Sequence, residues 1–192
     1  MSGQTDRAMD FPDHPFWDFS LEVYGADGVA PACLALQEAH QLDVNIVLYC
    51  CWIGASGRGA ISSDEAEAMM AAVAEWHGGV VRGVRAVRQL LKDGLAPAPL
   101  ELSEPLRRRI AKIEVELEHV EQLMLAAAVD RAADPSVPAE RRAADAKANI
   151  DRYFAIIGGT PGAGDRTAVA AILAAAFTDL DRGRIEALCA AL

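Results

Sequence analysis

Apolar and polar positions alternate along this chain with a helical period nearly throughout. Helix-compatible stretches run from Pro15 to Gly25 and from about Val29 to His40. A third element, Val44 to Ile53, follows Asp43, which reads as its N-cap, and closes at Gly54. Asp13 is the expected cap of the first helix, with proline at its first position. Ser62 and Glu65 spell a capping box, so a fourth helix runs to about Trp76, where Gly78 and Gly79 are expected to break it. A fifth runs from about Val80 to Lys92 and stops at Gly94. After the proline-rich stretch LAPAPLELSEP, a long helix covers about residues 104 to 133. Its positions Leu106, Ile110, Ile113, Leu117, Val120 and Met124 keep strict 4–3 spacing, the seam of a helix lying along another. DPSVP ends it, and further helices are expected at about 139 to 157 and 167 to 188, joined by GGTPGAGD.

The segment VNIVLYCCWI is apolar on every side and rich in β-branched residues. No second strand-like run exists to pair with it, and a lone strand would bury unsatisfied backbone groups. It therefore reads as a central buried helix. The expected fold is all-α, a single-domain bundle of about six to eight helices around residues 44 to 53. Residues 1 to 14 read as a flexible leader, 15 to 133 as the helical core, and 134 to 192 as a helical extension packed on it.

Wheel positions at about 100° per residue locate polar groups inside apolar arcs. In the first helix Phe16, Trp17, Phe19, Val23 and Tyr24 make the arc, with Ser20 in its middle. In the second, Gln37 and His40 fall within the arc of Val29, Cys33, Leu34 and Leu36. In the third, Asn45 shares a stripe with Tyr49 and Trp52. Ser20, Gln37, His40 and Asn45 thus project from buried faces. Each costs about 1–3 kcal/mol unless satisfied. Two readings follow: a closed hydrogen-bond network, or a pocket for a small polar molecule walled by Trp17, Tyr24, Tyr49 and Trp52.

Arg82, Arg85, Arg88 and Lys92 occupy a stripe of about 120° on the fifth helix. It could hold an anion or an acidic partner, or simply pair with Asp64, Glu65, Glu67 and Glu75 of the preceding helix. Glu116 and His119 form an E-x-x-H, half of a di-iron motif. The 4–3 seam sets both on a solvated flank, and the only similar pair is Gln37 and His40, so no metal site is expected. Of histidines 14, 40, 77 and 119, only His40 is expected to be buried. No activated nucleophile and no pair of inward carboxylates stands out. GASGRG and GGTPGAGD lack the lysine and hydroxyl of a phosphate-binding loop.

Composition narrows the rest. The 192 residues are 52 % hydrophobic and 24 % charged, enough apolar material for one core. A net charge of −10 disfavours nucleic acid and anionic membrane surfaces as partners. The longest apolar run, Ile46 to Ile53, is far short of the roughly 18 to 20 residues that span a bilayer. The N-terminus does not read as a secretory signal, so the expected location is the cytoplasm. Cys33, Cys50, Cys51 and Cys189 lack C-x-x-C spacing and suit reduced core thiols. No cofactor is expected, and the partner would be a protein or a small polar ligand.

Several stretches also carry a resemblance. They are F-W-D-F-S-L at Phe16 to Leu21, Tyr24, G-V-A-x-A-C-L-x-L-Q from Gly28 to Gln37, D-V-N at Asp43 to Asn45, and Trp52. To these add W-x-x-x-V-V-R at Trp76 to Arg82, Arg85, Arg88, Lys92, and the glutamate-rich helix near Glu114 to Leu125. Over about the first 125 residues the chain resembles a short proteobacterial family of uncharacterised proteins, catalogued as a domain of unknown function. The resemblance implies a bacterial cytosolic protein and brings no activity, cofactor or catalytic residue. The residues therefore leave two functions open: a non-catalytic interaction or regulatory protein, and a small-molecule binder or enzyme using the polar pocket.

Overall fold

A computed structural model describes residues 11 to 190. The leader expected over residues 1 to 14 lies largely outside the described residues. The elements are α1 (Pro15–Gly25), α2 (Val29–His40), α3 (Val44–Ala55), α4 (Ser63–Glu75), a π-helical turn (Trp76–Val81) and α5 (Arg82–Leu90). They continue with α6 (Leu100–Ala128), α7 (Ala139–Ile156), α8 (Ala163–Ala176) and α9 (Arg182–Ala190). The fold is all-α, with no strand among the described residues.

The centre is α3. Every residue from Asn45 to Gly54 is buried, as a helix apolar all round requires. Its closest neighbour is α7, from the segment read as an extension. Gly54 lets the two backbones meet: a Cβ built there would lie 2.3 Å from the Ala146 backbone nitrogen. Asn149, wholly buried on α7, holds the following loop against α3. Its Oδ1 accepts the Ile61 N–H at 2.8 Å, and its Nδ2 donates to the Cys50 and Gly59 carbonyls at 3.2 and 3.3 Å. Helix α8 lies along α2, and α9 packs on α8.

Three expectations change. The cap of α1 is His14, whose Nδ1 accepts the Phe16 N–H at 3.1 Å, and not Asp13. Gly78 and Gly79 do not break the helix. The chain runs from α4 to α5 through the π turn, steadied by the Trp76 indole N–H donating to the Leu117 carbonyl at 3.0 Å. The final helix is divided, because the chain leaves the helix between Phe177 and Asp181.

The most consequential correction concerns α6. Its apolar 4–3 stripe meets the core only at its end, through Met124: Leu106 is 51 % exposed and Ile113 46 %. The rest of that stripe is only half-buried. The buried positions are Ser103, Glu114, His119, Glu121, Gln122 and Leu125. A long helix thus presents a mainly polar face to its neighbours, which such burial permits only where those neighbours satisfy it.

Candidate functional site

The D-V-N turn between α2 and α3 places the first groups. Asp43 caps α3: its Oδ1 accepts the Asn45 N–H at 2.8 Å. Its other oxygen, Oδ2, lies 2.9 Å from His77 Nδ1, carried by the π turn. The same His77 nitrogen lies 3.0 Å from Oε1 of Glu121, which is wholly buried on α6. Asn45 then ties the second Glu121 oxygen, its Nδ2 donating to Oε2 at 2.9 Å. Because a carboxylate accepts, the Asn45 amide orientation is set, and its Oδ1 accepts from Gln122 Nε2 at 2.9 Å. Gln122 Oε1 in turn accepts from Ser20 Oγ at 2.7 Å. Side chains from four parts of the chain form one continuous network.

Its electrostatics follow from burial and proximity. Burial works against a charged His77, but hydrogen bonds to Asp43 and Glu121, and their charges, outweigh it and lift its pKa to about 9. Burial and the charge of Asp43 lift Glu121 to about 7, against the pull of His77. Asp43 moves the other way. Burial alone would raise it, yet hydrogen bonds from His77, Glu121 and the Asn45 amide hold it below the usual carboxylate range.

Beside this network lies a half-enclosed cavity of about 350 Å³ between α1, α2, α3, α5 and α6. Ser20, Asp43, Asn45 and Gln122 form its polar side, and Trp17, Leu21, Leu34 and Leu48 its apolar side. Arg85 and Arg88 close it from α5. Arg85 donates from Nε to Glu114 at 2.8 Å, from Nη2 to Glu118, and from Nη1 to Gln37 Oε1 at 3.2 Å. Arg88 also binds Glu114. Burial alone would raise Glu114, but the two guanidiniums hold it below the usual carboxylate range, whereas burial raises Glu118. Both signs of charge therefore line the cavity.

Of the residues expected to share a pocket, Trp17, Ser20, Tyr24, Gln37 and Asn45 line this cavity. Three do not. His40 is half-buried and points to α8, its Nε2 3.0 Å from Asp165 Oδ2, with its ring edge-on to Phe154. Tyr49 and Trp52 pack in the core around Phe16, and Arg58 lies over the Trp52 ring at 4.2 Å. The basic stripe divides as well: Arg85 and Arg88 reach the cavity, while Arg82 and Lys92 are exposed. The stripe's carboxylate partners are on α6, not α4, where Glu65 pairs instead with Arg131 at 2.6 Å.

Sequence reasoning missed several groups. Asp43, Glu114 and Glu121 are buried carboxylates, and Asp43 and Glu121 form an inward pair where no such pair was expected. His119 is buried, its ring stacked on Trp17 at 3.9 Å and on Phe11 at 4.5 Å, rather than on a solvated flank. A signal existed: Glu114, Glu118, Glu121 and Leu125 also keep 4–3 spacing, so α6 carries a second stripe one face away from the apolar one.

Residues 15 to 125 match the family described as "Protein of unknown function (DUF2390)". The chain belongs to this family. No curated protein and no solved structure matches it. The matched segment contains every residue of the Ser20–His77 network and every residue lining the cavity, while α7 to α9 lie beyond it. Among the described residues no helix is long and apolar enough to cross a membrane.

Proposed function

We propose that the protein binds a small polar molecule in the cavity between α1, α2, α3, α5 and α6. The observation that carries this reading is a convergence. Polar residues from α1 to α3 and two arginines from α5, which the sequence suggested as separate features, border one cavity of about 350 Å³. That volume lies within the range of small-molecule sites, roughly 300–1,000 Å³. The lining suits a ligand with an apolar part against Leu21, Leu34 and Leu48, and with both hydrogen-bond donors and acceptors. Because Arg85 and Arg88 are already paired with Glu114 and Glu118, a zwitterion or an uncharged polar molecule fits better than a simple anion.

Native mass spectrometry of the protein purified gently from its source cells tests this. The expected result is a retained small mass that is lost in Leu34→Trp, a change at a half-exposed rim position that fills the cavity without entering the core. A bare chain in both proteins, with no thermal shift from panels of amino acids and nucleosides, would overturn the reading. The interaction-protein reading keeps one supporting observation: Leu90, Leu95, Leu100, Leu102 and Leu106 are all more than half exposed around the α5–α6 end. Light scattering across a concentration series addresses it, since an apolar face of that kind is expected to drive self-association.

A further inference from the structure

Asp43, His77 and Glu121 turn one ligand-type atom each toward a common point, all within 4.8 Å of one another. How they are held is informative. Asn45 occupies the far oxygen of both carboxylates, Asp43 Oδ1 through its backbone N–H and Glu121 Oε2 through its side chain. The near oxygens, Asp43 Oδ2 and Glu121 Oε1, are left facing His77 Nδ1 at 2.9 and 3.0 Å. Such outer contacts are what orient metal-ligating carboxylates.

The protein's own protons do not complete the arrangement. A single proton on Nδ1 has to serve two carboxylate oxygens, Asp43 Oδ2 at 2.9 Å and Glu121 Oε1 at 3.0 Å. Asp43 Oδ2, at the ion-pair distance from the same nitrogen, receives no well-aligned hydrogen bond of its own, in a side chain only 7 % exposed. With both carboxylates ionised, a protonated imidazole still leaves a net negative charge on the cluster. His77 itself sits in the π turn, a local widening that recurs at functional sites.

We infer that Asp43, His77 and Glu121 form a site for one divalent first-row transition-metal ion. One imidazole nitrogen and two carboxylate oxygens suit manganese, iron(II) or zinc. Three protein ligands leave further coordination positions for water or another molecule. The site adjoins the cavity, which Asp43 and Asn45 also line. The inference rests on its own geometry and does not require the cavity to hold a ligand.

The experiment is titration of the chelator-treated full chain with Mn²⁺, by electron paramagnetic resonance and calorimetry, repeated with Zn²⁺. Manganese separates this oxygen-rich site from the four cysteines, which favour softer ions. One ion per chain is expected. His77→Gln and the near-isosteric Glu121→Gln are each expected to weaken binding more than tenfold, and Asn45→Ala by about 10–100-fold. His40→Gln, at the α8 contact, and Leu34→Trp, in the cavity, are expected to bind as wild type. Circular dichroism establishes that each variant is folded. Absence of saturable binding by the wild type would overturn the inference, and so would unchanged affinity in a folded Glu121→Gln or His77→Gln. Absence of any cavity ligand from the wild type, with metal binding intact, would sink only the cavity reading.

Discussion

Asn45→Ala is the most searching test of the buried network. The side chain is 8 % exposed and makes two bonds, one donated to the Glu121 carboxylate and one accepted from Gln122, both at 2.9 Å. A bond to a charged group contributes about 1.5–3 kcal/mol and a neutral one about 0.5–1.5 kcal/mol. Alanine's better helix propensity returns up to about 0.7 kcal/mol. The neighbouring cavity also admits water to part of the stranded surface, which favours the lower end of the range. The expected loss is therefore about 2–3 kcal/mol. It is read from urea denaturation at pH 7 with a chelator present, as a lower midpoint at unchanged slope. In a double-mutant cycle with Gln122→Ala, a coupling of about 0.5–3 kcal/mol is expected for direct partners. A loss below about 0.5 kcal/mol, or no coupling, would refute the argument that these amides satisfy one another.

Other consequences can be checked on the same samples. The His14 cap needs an unprotonated Nδ1, and burial together with the charge of Arg58 holds the imidazole below its usual pKa of 6.5. A depressed folded-state pKa means that this stabilisation is present above pH 6.5 and is lost as pH falls below it. Wild type is expected to lose up to about 1 kcal/mol relative to His14→Asn between pH 7 and pH 5; parallel pH profiles would contradict the cap. Gly54→Ala places a Cβ 2.5 Å from the Ala146 Cα, so about 3 kcal/mol or more of stability is expected to go, whereas Gly78→Ala, with nothing within 4 Å, is expected to be tolerated. A Gly54→Ala chain within about 1 kcal/mol of wild type would show that α3 and α7 need not touch so closely. The cysteines are all buried and free, and burial pushes the Cys33 and Cys50 thiols up to about 12 and Cys189 to about 11. An aromatic disulfide reagent is expected to modify none in the native protein at pH 8 and all of them in urea; fast labelling of a native thiol would place that cysteine at the surface.

Local chemistry made much of the architecture legible. Ser62 and Glu65 close a capping box, and Asp43 caps α3, as their spacing dictates. These signals act within one turn of the chain and need no distant partner. The all-round apolar character of Ile46 to Gly54 is likewise sufficient to send that helix to the centre. Helix ends were less legible where tertiary contacts compete with propensity. Two adjacent glycines read as a break, yet packing of Trp76 on α6 carries the helix through them as a π turn.

Side-chain placement along the same wheel was only partly legible. The buried faces of α1 and α3 put Ser20 and Asn45 in one network, but His40 belongs to a contact with α8, across a loop the sequence joins only distantly. The amino-acid sequence by itself determined which segments are helical, the caps of α3 and α4, and which helix is the core. It did not determine how α6 turns about its own axis. That helix carries an apolar stripe through Leu106, Ile113 and Leu117 and a polar stripe through Glu114, Glu118 and Glu121, both with helical spacing. Periodicity alone favours burying the first. The tertiary structure turns the second inward because the groups that satisfy it arrive from elsewhere: Arg85 and Arg88 from α5, His77 from the π turn, Asn45 from α3. A buried carboxylate is unfavourable until its partner is in place, and the partners here stand 26 to 76 residues away along the chain, separations that only folding can close.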